Sequence, residues 1–378
     1  MNILLVNWQD LLNPQAGGAE IHLFELFARL AERGHRVRLV CSGFPGASAV
    51  EMVAGIEVHR HGGRHSFALM GRSAIRRALR QEAADVVVDD VNKLPLFTPS
   101  LTRLPVYTIV PHLFGTTAFE EASWPMAAVV WLAERPIPRC YRRAWFHAIS
   151  ESTRDDLVSR GIPQDRISVV HPGVDAGRFS PDALVPRTQP PRFVYVGRLK
   201  RYKGVDLLLR ALAEARRRFP GLSLDIAGSG DDRPRLESLT TTLGLAHAVR
   251  FHGFVDEPTR LALLRGAVAN VFPSPKEGWG ITVMEAAACD TPSLASDSPG
   301  LRDSVRDGQT GLLVAHGDVA AMAAAMLRLA EDPALVASLG AAARRHAEQL
   351  SWEAAAVQVE RHLLDLVAGR LPSSSKVA

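Results

Sequence analysis

Ala269-Asn270-Val271-Phe272-Pro273-Ser274 leads, two residues later, into Glu277-Gly278-Trp279-Gly280-Ile281-Thr282-Val283-Met284-Glu285-Ala286-Ala287-Ala288. The first six residues read as a buried strand ending in a turn, and the run from Met284 reads as helix. Glu277 then sits on a Gly-rich strand-to-helix turn, with Glu285 about one turn into the helix. A helix start offers unpaired amide N–H groups and the positive end of the dipole, which suits a phosphate. Carboxylates beside it accept hydrogen bonds from sugar or ribose hydroxyls. The constellation fits a site for a phosphorylated sugar. Taken alone, two glutamates near a helix start are more simply explained as acids that steady the dipole. The rest of the chain decides between the two.

Outward from that stretch, the pattern is strand, helix, strand, helix. Ile3–Asn7, Val37–Cys41, Val86–Val88, Val106–Val110 and Phe146–Ile149 read as strands. Ala19–Arg33 reads as a helix with Ile21, Phe24, Leu26, Phe27 and Leu30 apolar, stopped by Gly34, and Ser152–Arg160 as a helix stopped by Gly161. Residues 181–191, Pro-Asp-Ala-Leu-Val-Pro-Arg-Thr-Gln-Pro-Pro, hold four prolines and no periodicity, so they read as a linker. The alternation then restarts: strand Phe193–Gly197, helix Gly204–Phe219, strand Ser223–Ala227, helix Arg233–Leu243, strand Val249–Phe251. Alternation of this kind implies parallel sheets covered by helices. The expected fold class is α/β, with two doubly wound, Rossmann-like domains. The expected division is 1–180, a linker 181–191, and 192–350. A helix at 351–370 follows, for which packing back on the first domain is one arrangement, and then a frayed tail at 371–378. The Ala-rich segment 318–348 reads as helix. Ligands of such sheets bind beyond the strand C-termini, so the expected site is the cleft between the domains.

Bulk properties exclude several classes. The 378 residues are too many for one ordinary core and suit two domains. Residues 1–180 carry 20 Lys/Arg against 18 Asp/Glu, so the net charge of +4 is not concentrated in a basic nucleic-acid domain. Cys41, Cys140 and Cys289 are far apart and form no CxxC, which argues against a disulfide scaffold or a zinc site and for a reducing compartment. Met1-Asn2-Ile3-Leu4-Leu5-Val6 lacks a basic n-region and reads as a first strand, and no apolar run reaches membrane-span length. The expected location is cytoplasmic, with the inner face of the membrane as an option.

Other strand ends also carry chemistry. Gly197-Arg198-Leu199-Lys200-Arg201-Tyr202-Lys203-Gly204 follows the first strand of the second half. Arg198 and Lys203 there suit a diphosphate, the first as a bidentate donor and the second as a mobile point charge. Asn13-Pro14-Gln15-Ala16-Gly17-Gly18-Ala19-Glu20 occupies the equivalent loop of the first half, where Gly17 and Gly18 let a ligand approach the backbone. Neither this loop nor Gly228-Ser229-Gly230 is the dinucleotide fingerprint GxGxxG, which disfavours an oxidoreductase. His112 follows Val106–Val110 at another strand end. Ser298-Pro299-Gly300-Leu301-Arg302-Asp303 forms one more loop whose amides are placed to read a sugar.

Together these residues resemble the retaining, nucleotide-sugar-dependent glycosyltransferases of GT-B fold, family four. The similarity spans nearly the whole chain: Gly-Gly-Ala-Glu at 17–20, His171-Pro172-Gly173-Val174-Asp175, Gly197-Arg198-Leu199 with Lys203-Gly204-Val205-Asp206, Ala227-Gly228-Ser229-Gly230, Phe251-His252-Gly253, the Glu277/Glu285 pair, and Asp307-Gly308 with Thr310-Gly311-Leu312-Leu313. The resemblance implies roles. Glu277 binds donor-sugar hydroxyls and steadies developing positive charge. Glu285 holds the ribose. Arg198 and Lys203 neutralise the departing diphosphate. Gly17 and Gly18 approach phosphate or acceptor, and His112 contacts the transferred sugar. Backbone groups around Gly278, Trp279, Gly280, Ile281 and Thr282 complete the cradle. It implies no divalent metal and no cofactor, the nucleoside-diphosphate sugar being a co-substrate and a hydroxyl-bearing glycan, lipid-linked glycan or small molecule the acceptor. One departure stands out: the family's Gly-Gly-x-x-Glu loop is here Pro299-Gly300-Leu301-Arg302-Asp303, which bears on donor-sugar or base preference. A phosphorylase-like enzyme of the same architecture and a catalytically silent sugar-nucleotide sensor are the rival readings.

A second pattern lies outside these motifs. Arg72, Arg76 and Arg80 make a basic stripe, and residues 124–146 mix Trp124, Met126, Val129, Val130, Trp131, Leu132, Tyr141 and Trp145 with Arg135, Arg139, Arg142 and Arg143. Such a mixture suits a membrane interface. The plainer expectation, and the preferred one, is a core helix followed by a solvated basic turn.

Overall fold

A computed structural model describes residues 1–117, 119 and 124–371. The chain divides into two compact units, Met1–Pro172 with the segment from Trp352 onward, and Gly173–Ser351. The division therefore falls earlier than residue 180. The proline-rich stretch 181–191 belongs to the second unit, where Arg187 donates to the carbonyls of Ala267 and Asp290 and the Thr188 amide bonds Gly266 O. Proline removed the periodicity there without freeing the segment. Of the tail expected at 371–378, only residue 371 lies within the described residues.

The first unit is built on eight strands: β1 (Asn2–Val6), β2 (Arg36–Cys41), β3 (Val50–Val53), β4 (Ile56–Arg60), β5 (Val86–Asp90), β6 (Val106–Val110), β7 (Trp145–Ala148) and β8 (Ile167–Val169), in the order β3-β4-β2-β1-β5-β6-β7-β8. All pairs are parallel except the β3–β4 hairpin, where Val53 pairs Ile56 around Ala54-Gly55. Helix Gly18–Glu32 buries His22, Leu23, Phe24, Leu26, Phe27 and Leu30, so Leu23 rather than Ile21 lies on the core stripe. Each large apolar side chain buried this way contributes roughly 1.5–3 kcal/mol. The helix Trp352–Val367 returns to this unit and packs on Gly18–Glu32. Arg33 pairs with Glu353 and Glu360, His35 Nε2 lies 2.7 Å from Glu360, and Trp352 stacks near His22.

The second unit has six parallel strands: β9 (Arg192–Val196), β10 (Ser223–Ala227), β11 (Val249–Gly253), β12 (Ala269–Phe272), β13 (Ser293–Asp297) and β14 (Gly311–Ala315), ordered β11-β10-β9-β12-β13-β14. Strand order reverses between β9 and β12, and ligands of doubly wound sheets bind at that switch point. In the first unit the order reverses between β1 and β5. The core of the second unit joins Phe193, Tyr195, Leu224 and Ile226 to Leu208, Leu212 and Met326 from the covering helices. The Ala-rich segment is two helices, Val319–Glu331 and Pro333–Glu348, rather than one. Pro333 cannot continue the first helix and opens the second, which Asp332 caps by accepting from the Leu335 amide.

Candidate active site

The two loops that leave the switch point of the second unit are those singled out from the sequence. After β9, the loop from Gly197 is pinned from below and beside. Tyr195, fully buried, donates its hydroxyl to Arg198 O at 3.0 Å, and the Leu199 amide bonds Ser229 O at 2.8 Å. Arg198 is thus held by its backbone while its side chain is exposed, with no carboxylate paired to it among the described residues. After β12, Gly280 adopts φ +98° and starts the helix Ile281–Ala288. No acceptor among the described residues takes the amides of Ile281 or Thr282. Two open N–H groups at a helix start, and an exposed guanidinium on the neighbouring loop, are the kinds of donor that an anion site uses.

Lys203 and Glu277 meet. Lys203 Nζ lies 2.5 Å from Glu277 Oε1, and both side chains are largely buried. Burial alone lowers the Lys203 pKa. The Glu277 carboxylate outweighs it, with Tyr202 adding to the effect, and the pKa stands above the usual lysine value. Lys203 is therefore not the mobile point charge expected from the sequence. It is a fixed cation that orients Glu277. Burial, with Glu277 adding to it, also pushes the Tyr195 hydroxyl well above its usual range, so Tyr195 stays a neutral donor.

Glu285 sits in a different environment from its partner glutamate. It is buried on the helix Ile281–Ala288, with Oε1 3.2 Å from Arg260 Nη1 of the helix Glu257–Gly266. Trp279 is buried too, so only its backbone is placed to serve a ligand. The loop Pro299–Asp303 closes over the Glu277 turn. Glu277 N donates to Pro299 O at 3.0 Å, and Ser298 Oγ donates to Ser274 O at 2.8 Å. Gly300 has φ +80°, and a Cβ there would lie 2.1 Å from Glu277 O. The single glycine kept from the family's pair is the one this contact requires.

In the first unit the site residues also gather at strand ends. Gly17 and Gly18 begin the helix Gly18–Glu32, and the Gly17 amide donates to Glu20 Oε2 at 2.7 Å. His112, partly buried after β6, meets the Phe114 ring edge-on at 5.1 Å between centroids. Between them lies a feature the sequence reading missed, the end of β5. Asp89 accepts from Thr98 Oγ1 and the Tyr141 hydroxyl. Asp90 is buried with neither oxygen hydrogen-bonded among the described residues. Burial, reinforced by the carboxylates of Glu20 and Asp89, pushes its pKa well above the usual aspartate value. Lys93 Nζ donates to Gln9 Oε1 at 2.8 Å and lies 3.8 Å from Glu20. The available signal was Asp89-Asp90 closing an apolar strand at a switch point, where a buried acid serves no packing purpose.

With this geometry in place, comparison with known proteins is direct. Residues 16–178 match the model of Glycosyltransferase Family 4, and residues 178–346 that of Glycosyl transferases group 1. The chain is 32% identical to a glycogen synthase of Mycobacterium tuberculosis, over 94% of this chain and 92% of that protein. It is 30% identical to a GDP-mannose-dependent alpha-(1-6)-phosphatidylinositol monomannoside mannosyltransferase of Mycolicibacterium smegmatis, over 94% and 96%. Its fold is similar to that of a sucrose-phosphate synthase from Thermosynechococcus elongatus, with a TM-score of 0.85 at 24% identity, covering 97% of this chain and 99% of that one. Two Rossmann-like units and a match to both family halves agree: the chain belongs to the GT-B glycosyltransferases of family four.

Proposed function

We propose that the enzyme moves a sugar from a nucleoside-diphosphate sugar to a hydroxyl acceptor with retention of configuration, without a divalent metal or other cofactor. What supports this reading is the switch point of the second unit, where the neighbouring loops after β9 and β12 carry an exposed Arg198, the open Ile281 and Thr282 amides, and the Lys203–Glu277 pair. Arg198 and the two amides take the diphosphate, and its growing charge as it leaves is what they stabilise. Glu277, held by Lys203, accepts hydrogen bonds from the donor sugar and steadies the oxocarbenium character at the anomeric carbon. Glu285 is assigned to the ribose. Gly17 and Gly18 are assigned to phosphate or acceptor and His112 to the transferred sugar.

In the step itself the anomeric C–O bond to the diphosphate breaks and a bond to the acceptor oxygen forms on the same face. The acceptor's proton passes to the leaving phosphate oxygen, which departs with the bonding electron pair. The mannosyltransferase relative is named as GDP-mannose-dependent, which supports a nucleotide-linked donor. The products fall within cell-surface polysaccharide, glycolipid or glycoside synthesis. The test is release of nucleoside diphosphate from a panel of UDP-, GDP- and ADP-sugars in the presence of chelator. One base should be turned over, and Glu277→Ala should lose that turnover while staying folded. Sugar phosphate release dependent on inorganic phosphate would instead indicate a phosphorylase.

A further inference from the structure

The helix Trp124–Glu134 reads Trp-Pro-Met-Ala-Ala-Val-Val-Trp-Leu-Ala-Glu, and its only charged residue is its last. A helix that is apolar all round belongs in a protein core or in lipid. This one is not in the core. Of its eleven residues only Ala127 and Glu134 are buried. Glu134 pins the C-terminal end, accepting from the amides of Phe114 and Gly115 at 2.7 and 2.8 Å and pairing with Arg160. Beyond that anchor Trp124 is 74% exposed, Met126 51%, Val129 51% and Leu132 57%. At 3.6 residues per turn these four side chains spread over roughly half the helix circumference. The sequence expectation of a core helix fails here, and an exposed apolar surface of this kind marks an interaction site.

The chemistry of the partner follows from what adjoins the helix. The Arg135 guanidinium stacks on Trp131, 4.0 Å from the ring centroid, and Arg139, Arg142 and Arg143 follow, all exposed. Among the described residues no carboxylate pairs with any of the four. We propose that this helix and its arginines form a docking surface for an anionic lipid bilayer. Trp124, Met126, Val129 and Leu132 enter the boundary of the acyl chains, and the arginines meet headgroup phosphates. A second copy of the chain is the poorer occupant, because a two-fold contact brings the same arginines against each other. The helix lies on the membrane rather than spanning it, since no helix among the described residues is long and apolar enough to cross. None of its exposed side chains is among those assigned to the donor, so failure of this proposal leaves the assigned reaction untouched.

The experiment is flotation with vesicles of phosphatidylcholine alone or mixed with phosphatidylglycerol. The wild-type protein floats with the mixed vesicles, far less with phosphatidylcholine, and is released by salt. Arg139→Gln and Arg142→Gln each weaken partitioning about fivefold. Trp124→Ser with Leu132→Ser abolishes it, with an unchanged thermal melt because these side chains are exposed. Absence of flotation with mixed vesicles, equal flotation with both lipids, or unchanged flotation of the Trp124→Ser/Leu132→Ser protein overturns the proposal. So does a wild-type dimer in solution that these two substitutions convert to monomer, which would make the face a protein interface.

Discussion

Lys203 reaches across the switch point of the second unit from the loop after β9 to the loop after β12, placing Nζ 2.5 Å from Glu277 Oε1. A pair this buried is expensive to break from one side, because the survivor keeps its charge without its partner. Glu277→Ala and Lys203→Ala are each expected to lower turnover by roughly 10²–10³-fold. The double variant should lose little more than either single one, since the two act as one unit. Additive losses, read from kcat of all three proteins, would separate the residues functionally.

Gly300→Ala should damage the site without touching a ligand. The new Cβ would stand 2.1 Å from Glu277 O at a backbone φ of +80°. Strain of this kind costs about 1–3 kcal/mol, and shifting the Glu277 turn by even an ångström costs about 10²-fold in rate. The expected outcome is a lowered melting temperature together with weakened nucleotide binding. A variant with a normal melt and normal turnover would show that the loop does not hold Glu277.

Much of this was legible in the sequence, for definite physical reasons. Strands buried on both faces read as apolar runs, and each is followed by its own turn and helix, so the two parallel sheets were visible. Arg198, Lys203, Glu277 and Gly280 could be placed on the loops after strands from the sequence alone, because a charge or glycine there has no packing role. Contacts over long sequence distances were not legible. Nothing near Lys203 announces that its charge is taken by Glu277, 74 residues away. Asp90 was passed over because an acid ending a strand looks solvated until the surrounding chain is seen to bury it. The helix Trp124–Glu134 failed for the opposite reason, since its composition implies burial that the fold does not supply.

Acid should destabilise the first unit through His22. Burial lowers its pKa from 6.5 to about 4. Between those values the unfolded chain takes up a proton that the native state refuses, so stability falls as pH drops through this window. The group's contribution to the loss is about 3 kcal/mol. Denaturant unfolding of His22→Leu should be less steep over the same range, and an identical slope would place the acid sensitivity elsewhere.

Asp90 predicts a slope of the opposite sign through a different charge. Its folded pKa is raised, so the native state holds a proton that the unfolded chain has released above the ordinary aspartate value. Stability therefore falls as pH rises from that value toward the folded pKa, by about 1.4 kcal/mol per pH unit. Asp90→Asn should remove this slope and raise the melting temperature near neutrality. A lower melting temperature for the variant would mean that the carboxylate has a stabilising partner.

Titration calorimetry of UDP, GDP and ADP against the metal-free protein, beside its Arg198→Ala variant, tests the donor site most directly. One nucleotide should bind to the wild-type protein. The exposed Arg198 should contribute about 1.5–3 kcal/mol of that affinity, so the variant binds about 10- to 100-fold more weakly with an unchanged melt. Binding of no nucleotide, or equal binding by both proteins, would contradict the placement of the diphosphate at this switch point.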